Sequence, residues 1–149
     1  MSTLTVKLKQ HYLDILSNDT LNKTSKLKQI LIETKNYYSQ DPIKKRNLNG
    51  VMCVYSPYSC ESEGCAVGRM LEEDSAQELD NLSNTITVGE DYAGGTHIIW
   101  DSYILENLVF FKLLQFFHDD DTNWDSNGIT AEGQGFYQAI WCYTSLLTN

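Results

Sequence analysis

The sequence predicts an α+β fold: a mainly helical single domain carrying one or two short antiparallel β-hairpins. Three observations carry that expectation. The chain has 149 residues, of which 42% are hydrophobic and 11% aromatic, enough for one domain to close a core without staples. Long segments repeat their apolar residues at helical spacing. Between them lie short β-branched runs bounded by glycine, the pattern of hairpins rather than of a large sheet.

Taken in order, residues 1–46 are expected to form a helical pair and residues 50–149 the body of the domain. Leu4, Leu8, Tyr12, Leu13, Ile15 and Leu16 make the apolar stripe of a first helix, which Asn18, Asp19 and Thr20 end. Leu21, Leu27, Ile30, Leu31 and Tyr38 make the stripe of a second. It closes at Asp41-Pro42, because a residue before proline is pushed out of the helical region. Asn49-Gly50 signals a turn, and residues 51–55 with 64–68 read as a first hairpin.

Residues 71–82 read as a helix whose positive N-terminal end is favoured by Glu72, Glu73 and Asp74. Residues 85–88 and 96–100 read as a second hairpin, with Glu90, Asp91 and Tyr92 at its exposed tip. Residues 102–118 are apolar on most sides, with Lys112 their only basic residue, and are expected to be the central core helix. A last helix runs from about Thr130 to Leu147.

The net charge of −9 is unevenly spread: residues 1–50 hold nine basic and four acidic groups, residues 51–149 two and sixteen. Such a field repels nucleic acid and attracts a basic partner surface. The expected contact is an acidic surface including Glu72, Glu73, Asp74, Glu90, Asp91, Asp119 and Asp120, with Trp124 beside them. No apolar run reaches the ~18 residues a membrane span needs. The first ten residues lack an apolar signal core, so a cytoplasmic protein is expected. In that reducing compartment Cys53, Cys60, Cys65 and Cys142 read as small buried side chains rather than disulfides.

Two patterns carry possible chemistry. From Asp121 to Glu132 the chain places side-chain oxygens at positions 1, 3 and 5 (Asp121, Asn123, Asp125) and a glutamate at position 12. That is the ligand arithmetic of an EF-hand calcium loop; no cofactor is expected overall, and calcium is the candidate this spacing raises. Ser126 stands where the sharp turn wants glycine, and Ile129 offers no oxygen. The competing reading makes Thr130 the N-cap of the last helix, with Glu132 in its first turn. The second pattern is a transition-metal or thiol cluster of Cys53, Cys65 and His118, with Asp119.

Cys53-Val54-Tyr55, then Gly64-Cys65-Ala66-Val67-Gly68, then the helix end Leu113-Leu114-Gln115-Phe116-Phe117-His118-Asp119, then Asn123-Trp124 resemble a family of small phage and prophage proteins to which no activity is assigned. The likeness continues through residues 128–133 and covers roughly residues 50–147. It departs at residues 56–63, an insertion carrying Cys60, and at residues 70–73, where relatives have a proline turn. The resemblance implies a small phage-encoded accessory protein of the host cytoplasm. Joined to the acidic charge, it implies a chain that binds and modulates or inhibits a host protein, such as a nucleic-acid-binding or defence protein. The alternatives are a small metal- or thiol-dependent enzyme, or a pocket lined by Tyr55, Trp100 and Trp124 for a small ligand such as a nucleotide signal.

Overall fold

The structure, a computed structural model, describes residues 2–40, 66–83 and 86–147. It is a mainly helical α+β fold. The chain opens with a strand, β1 (Ser2–Val6), followed by α1 (Gln10–Leu16) and α2 (Lys23–Ser39). After a 3-10 turn at Gly68–Met70 come α3 (Glu73–Leu82), β2 (Tyr92–Ala93) and β3 (Thr96–Trp100). Then α4 (Ser102–Glu106), α5 (Leu108–Asp119), a 3-10 turn at Asp121–Asn123, β4 (Trp124–Asp125), β5 (Gly128–Ile129) and α6 (Ala131–Ser145) complete it. Among the described residues no helix is long and apolar enough to cross a membrane.

The first correction concerns the N-terminus. Leu4 and Leu8 do not belong to a helical stripe: residues 2–6 pair in parallel with β3, Ser2 opposite Thr96 and Val6 opposite Trp100. Apolar residues at 4, 8 and 12 fit one face of a helix and also one face of a strand, whose repeat is two residues, so spacing alone is silent. Thr3, Leu4, Thr5 and Val6 are mostly β-branched, and burial alternates with Leu4 and Val6 inward. A partner strand some ninety residues away settles the choice. The sheet order is β1-β3-β2, so β3 is central.

The second hairpin also pairs differently from expectation. Tyr92 faces His97 and Ala93 faces Thr96 across a two-residue turn. Gly94 and Gly95 both take positive φ there (54° and 79°), the geometry that suits a tight hairpin. Ile86 and Val88 are buried but form no strand. Of the first expected hairpin, residues 51–55 with 64–68, all but residues 66–68 lie outside the described residues; at that described end, Gly68 begins a 3-10 turn instead of a strand.

The expected core helix is broken at Asn107 (φ −123°, ψ 36°), which separates α4 from α5. Residues 71–82 and 130–147 match α3 and α6 closely. One buried cluster joins β1, α1 and α2 to α3, β3, α5 and α6, so the N-terminal elements share the core of the rest. The division expected at residues 46–50 lies outside the described residues.

Candidate protein-interaction face

The C-terminal end of α5 is where the molecule is most specifically built. The Phe117 carbonyl accepts two side-chain N–H groups, from Asn123 (3.0 Å) and from the Trp124 indole (2.9 Å). Both donors are buried, so the reversal after α5 is fixed by bonds that water cannot replace. Tyr38 of α2 packs its ring edge against His118 (4.7 Å between centroids) and Trp124 (6.1 Å). His118 is buried, its Nδ1 2.8 Å from Asp119 Oδ1.

The stretch read as a calcium loop folds as a 3-10 turn followed by a β4–β5 hairpin. Asn123, an expected ligand, is turned inward. Asp125 accepts from the Asn127 backbone N–H at 2.8 Å, closing the hairpin turn. Thr130 caps α6: its hydroxyl accepts from Gly133 N–H at 3.0 Å and donates to the Thr122 carbonyl. Glu132 is exposed in the first turn, and Asp121 belongs to the 3-10 turn. Among the described residues, no group of three or more His, Cys, Asp or Glu converges as a metal would need. Cys53, Cys60, Cys65 and Tyr55 lie outside the described residues, while Cys142, expected to be buried, is exposed.

The expected acidic surface is distributed over separate elements. Glu72, Glu73 and Asp74 are exposed at the start of α3, where Glu72 N–H binds the Lys7 carbonyl beside β1. Asp91 is exposed and Glu90 half-buried at the opposite, β2 edge of the sheet. Glu90 has structural duties: its carboxylate accepts from the Thr87 hydroxyl (3.1 Å) and its carbonyl from the Trp100 indole (2.9 Å). Asp119 and Asp120 lie at the end of α5, where Asp120 also accepts from Thr122 N–H at 2.9 Å. Trp124 is only 5% exposed and is a core residue, not a surface contact.

Two features escaped the sequence reading. One is an ion pair under α2: Arg69 donates to Glu33 (2.8 Å) and to the Tyr12 hydroxyl (2.8 Å), its guanidinium 4.3 Å over the Tyr37 ring. Burial pushes the Tyr12 hydroxyl up to about 12, the Arg69 charge opposing and the Glu33 charge assisting. Burial alone would raise the Glu33 carboxyl, but Arg69's hydrogen bonds and charge, with the Tyr12 hydroxyl, hold it below the usual carboxylate value. Arg69 remains charged, because Glu33 and the tyrosines outweigh its desolvation. Sequence gave no sign of this, since residues 12, 33 and 69 share no local pattern.

The other is an apolar face on two helices. Phe116 stacks with Phe136 (6.3 Å), and Phe117 stacks with Phe136 (6.0 Å) and packs at a tilt against Tyr137 (6.3 Å). At the other end Val109 and Phe110 adjoin Tyr143 and Leu147. The helices α5 and α6 therefore run antiparallel. Phe116 on α5 is 63% exposed, Val109 on α5 55% and Leu105 at the end of α4 48%, where the sequence places all three in the core. Lys112, on the Val109 and Phe116 stripe by helical spacing, was the one local sign that this side faces out. Carboxylates stand at both ends: Glu106 beside Leu105, and Asp119 one turn beyond Phe116, level with Glu132 one turn before Phe136. Comparison with protein-family models, curated proteins and solved structures finds no match for this chain.

Proposed function

We propose that this chain acts by binding another protein rather than by catalysis, with the α5–α6 face as the contact. The observation that carries this is the exposure of Val109 (55%) and Phe116 (63%) on α5 and of Leu105 (48%) at the end of α4, with carboxylates at both ends. Large exposed apolar groups on one side of a molecule cost solubility, and patches of them mark interaction sites, here with Lys112 standing between Val109 and Phe116. α5 spans roughly 18 Å, enough for about three turns of a partner helix anchored at i, i+4 and i+7. Glu106, Asp119 and Glu132 favour a partner segment whose apolar row is flanked by Lys or Arg.

A second copy of this acidic chain would bring those same carboxylates together, which disfavours self-association through the face. The resemblance to small phage proteins supports a host protein of the cytoplasm as the natural partner. For the thiol or metal enzyme, the one described member of the Cys53, Cys65 and His118 cluster is His118, packed against Tyr38.

The test is selection of displayed helical peptides on the intact chain, counter-screened on Phe116→Asp. Enriched peptides are expected to carry apolar residues at helical spacing between basic ends. They should lose at least about 30-fold in affinity for the variant, a hot-spot loss of about 2 kcal/mol. Peptides that bind both proteins equally would remove the reading. Dimerisation in sedimentation equilibrium that Phe116→Asp abolishes would replace the foreign partner by a second copy.

A further inference from the structure

The β4–β5 hairpin ends in a chemically reactive pair, Asn127-Gly128. Trp124 pairs with Ile129 and Asp125 with Gly128, so Ser126 and Asn127 make a two-residue turn. Gly128 takes a φ of 125°, which L side chains avoid, and a Cβ there would stand 3.3 Å from the Ser39 carbonyl oxygen of α2. The fold therefore requires glycine directly after the turn. Asn127 is exposed; its backbone N–H is bound to Asp125 Oδ1 (2.8 Å), and its side-chain amide has no hydrogen bond among the described residues.

An asparagine amide carbon can be attacked by the backbone nitrogen of the next residue, which makes asparagine one of the heat-labile residues. A Cβ on that next residue hinders the approach, and glycine has none. Among the described residues no other asparagine precedes a glycine; the same pair at Asn49-Gly50 lies outside them. The ladder that holds the turn is only two pairs long, so it opens at low cost.

We propose that Asn127 is a site of spontaneous deamidation in the folded chain, reached when the hairpin frays. The Gly128 nitrogen gives its proton to solvent base and bonds to Asn127 Cγ. The Cγ–Nδ2 bond breaks, the amide leaves as ammonia, and a five-membered succinimide closes. Water then opens the ring. Breaking the ring nitrogen's bond to Cγ leaves aspartate; breaking its bond to the main-chain carbonyl carbon leaves isoaspartate. Either product adds one negative charge to the net −9. Aspartate keeps the backbone as it was. Isoaspartate lengthens the turn by one main-chain atom, so the two pairings no longer close together. Those pairings seat the Trp124 indole on the Phe117 carbonyl and the Asn123 carbonyl on Thr130 N–H, close against Gly133, so the change reaches the start of α6.

The experiment ages the full chain in mildly alkaline heavy-oxygen water and maps its peptides by mass spectrometry. A free peptide of residues 121–132 and the variants Asn127→Gln and Asn127→Asp run beside it. Heavy oxygen is expected to enter residue 127 of the full chain about 2- to 10-fold more slowly than in the peptide, the worth of the one pairing that must open. Asn127→Gln should abolish incorporation there, because the ring would need a sixth member. The isoaspartyl fraction, identified by enzymatic methyl labelling, should melt about 2–4 °C lower than the parent, whereas Asn127→Asp should melt with it. Residue 127 remaining asparagine while the peptide converts, or incorporation confined to Asn49, would overturn the site. Conversion as fast as in the peptide would overturn the fraying step. An isoaspartyl fraction that melts with the parent would overturn the coupling of the turn to α6.

Discussion

Two glycines in one helix should respond to alanine with opposite signs. Gly133 and Gly135 both lie in α6. In an ordinary helix each Gly→Ala change gains about 0.5–1 kcal/mol, because glycine loses more backbone freedom on folding. A Cβ at Gly135 meets nothing within 4 Å, so Gly135→Ala should realise that gain. A Cβ at Gly133 would overlap the Asn123 carbonyl oxygen and stand 2.7 Å from Ile129 Cγ1 and 2.9 Å from the Asn123 carbonyl carbon. Ordinary carbon contacts begin near 3.5 Å, so the hairpin must back away from the helix by about 1 Å. It resists, because the Asn123 carbonyl also accepts Thr130 N–H at 2.9 Å and the Asn123 side chain is bound to Phe117.

Overpacking of this kind costs about 1–3 kcal/mol, and losing a hydrogen bond adds about 1 kcal/mol. After the helix-propensity gain is subtracted, Gly133→Ala should lose about 2 kcal/mol. For a chain of this length that lowers Tm by about 4–8 °C, while Gly135→Ala raises it by about 1–4 °C. Thermal unfolding followed by circular dichroism, with urea midpoints beside it, reads both. Gly133→Ala as stable as the parent chain would refute the close packing of the hairpin on α6.

The remaining expectations are read by similar means. Thr130→Ala removes the cap bond to Gly133 and the bond to the Thr122 carbonyl, and should cost about 1–2 kcal/mol in urea unfolding; Thr130→Ser should retain most of it. The folded Tyr12 value near 12 exceeds its ordinary 10, so its contribution is complete below pH 10 and lost as pH rises toward 12. Stability should fall by about 2 kcal/mol over that window, and Tyr12→Phe should flatten the fall. Glu33 is depressed instead, so its contribution is present above the ordinary carboxyl value and lost as pH falls through the lower folded value; Glu33→Gln should flatten that acid limb. With Asn123 buried and Asp125 holding the hairpin turn, millimolar calcium should leave Tm where magnesium leaves it, and a calcium-specific rise would restore the loop as a metal site.

What was legible in the sequence was local. The stripe Leu27, Ile30, Leu31 and Tyr38 has helical spacing and is buried as α2. Thr130 ahead of Ala131 and Glu132 is a cap signal, and the cap is formed. Gly94-Gly95 marks a turn because two consecutive residues there take positive φ. The mainly helical α+β class follows from such signals because each depends on neighbours along the chain.

The rest was set by partners distant in sequence. Residues 2–6 become a strand because β3 offers a ladder from residue 96 onward. Residues 102–118 look uniformly buried, yet α6 covers only part of α5 and Asn107 interrupts the helix, so Phe116 and Val109 face outward. The twelve oxygen-rich residues from Asp121 match a calcium loop in spacing, but Asn123 and Trp124 are drawn inward to the Phe117 carbonyl. The sequence by itself determined the helices of residues 23–39, 73–82 and 131–145, the Gly94-Gly95 turn and the acidic charge, since propensity, capping and charge belong to residue type and spacing. Only the tertiary structure decided which side of α5 meets solvent and which polar atoms are already taken, because burial and hydrogen-bond partnership are properties of packing.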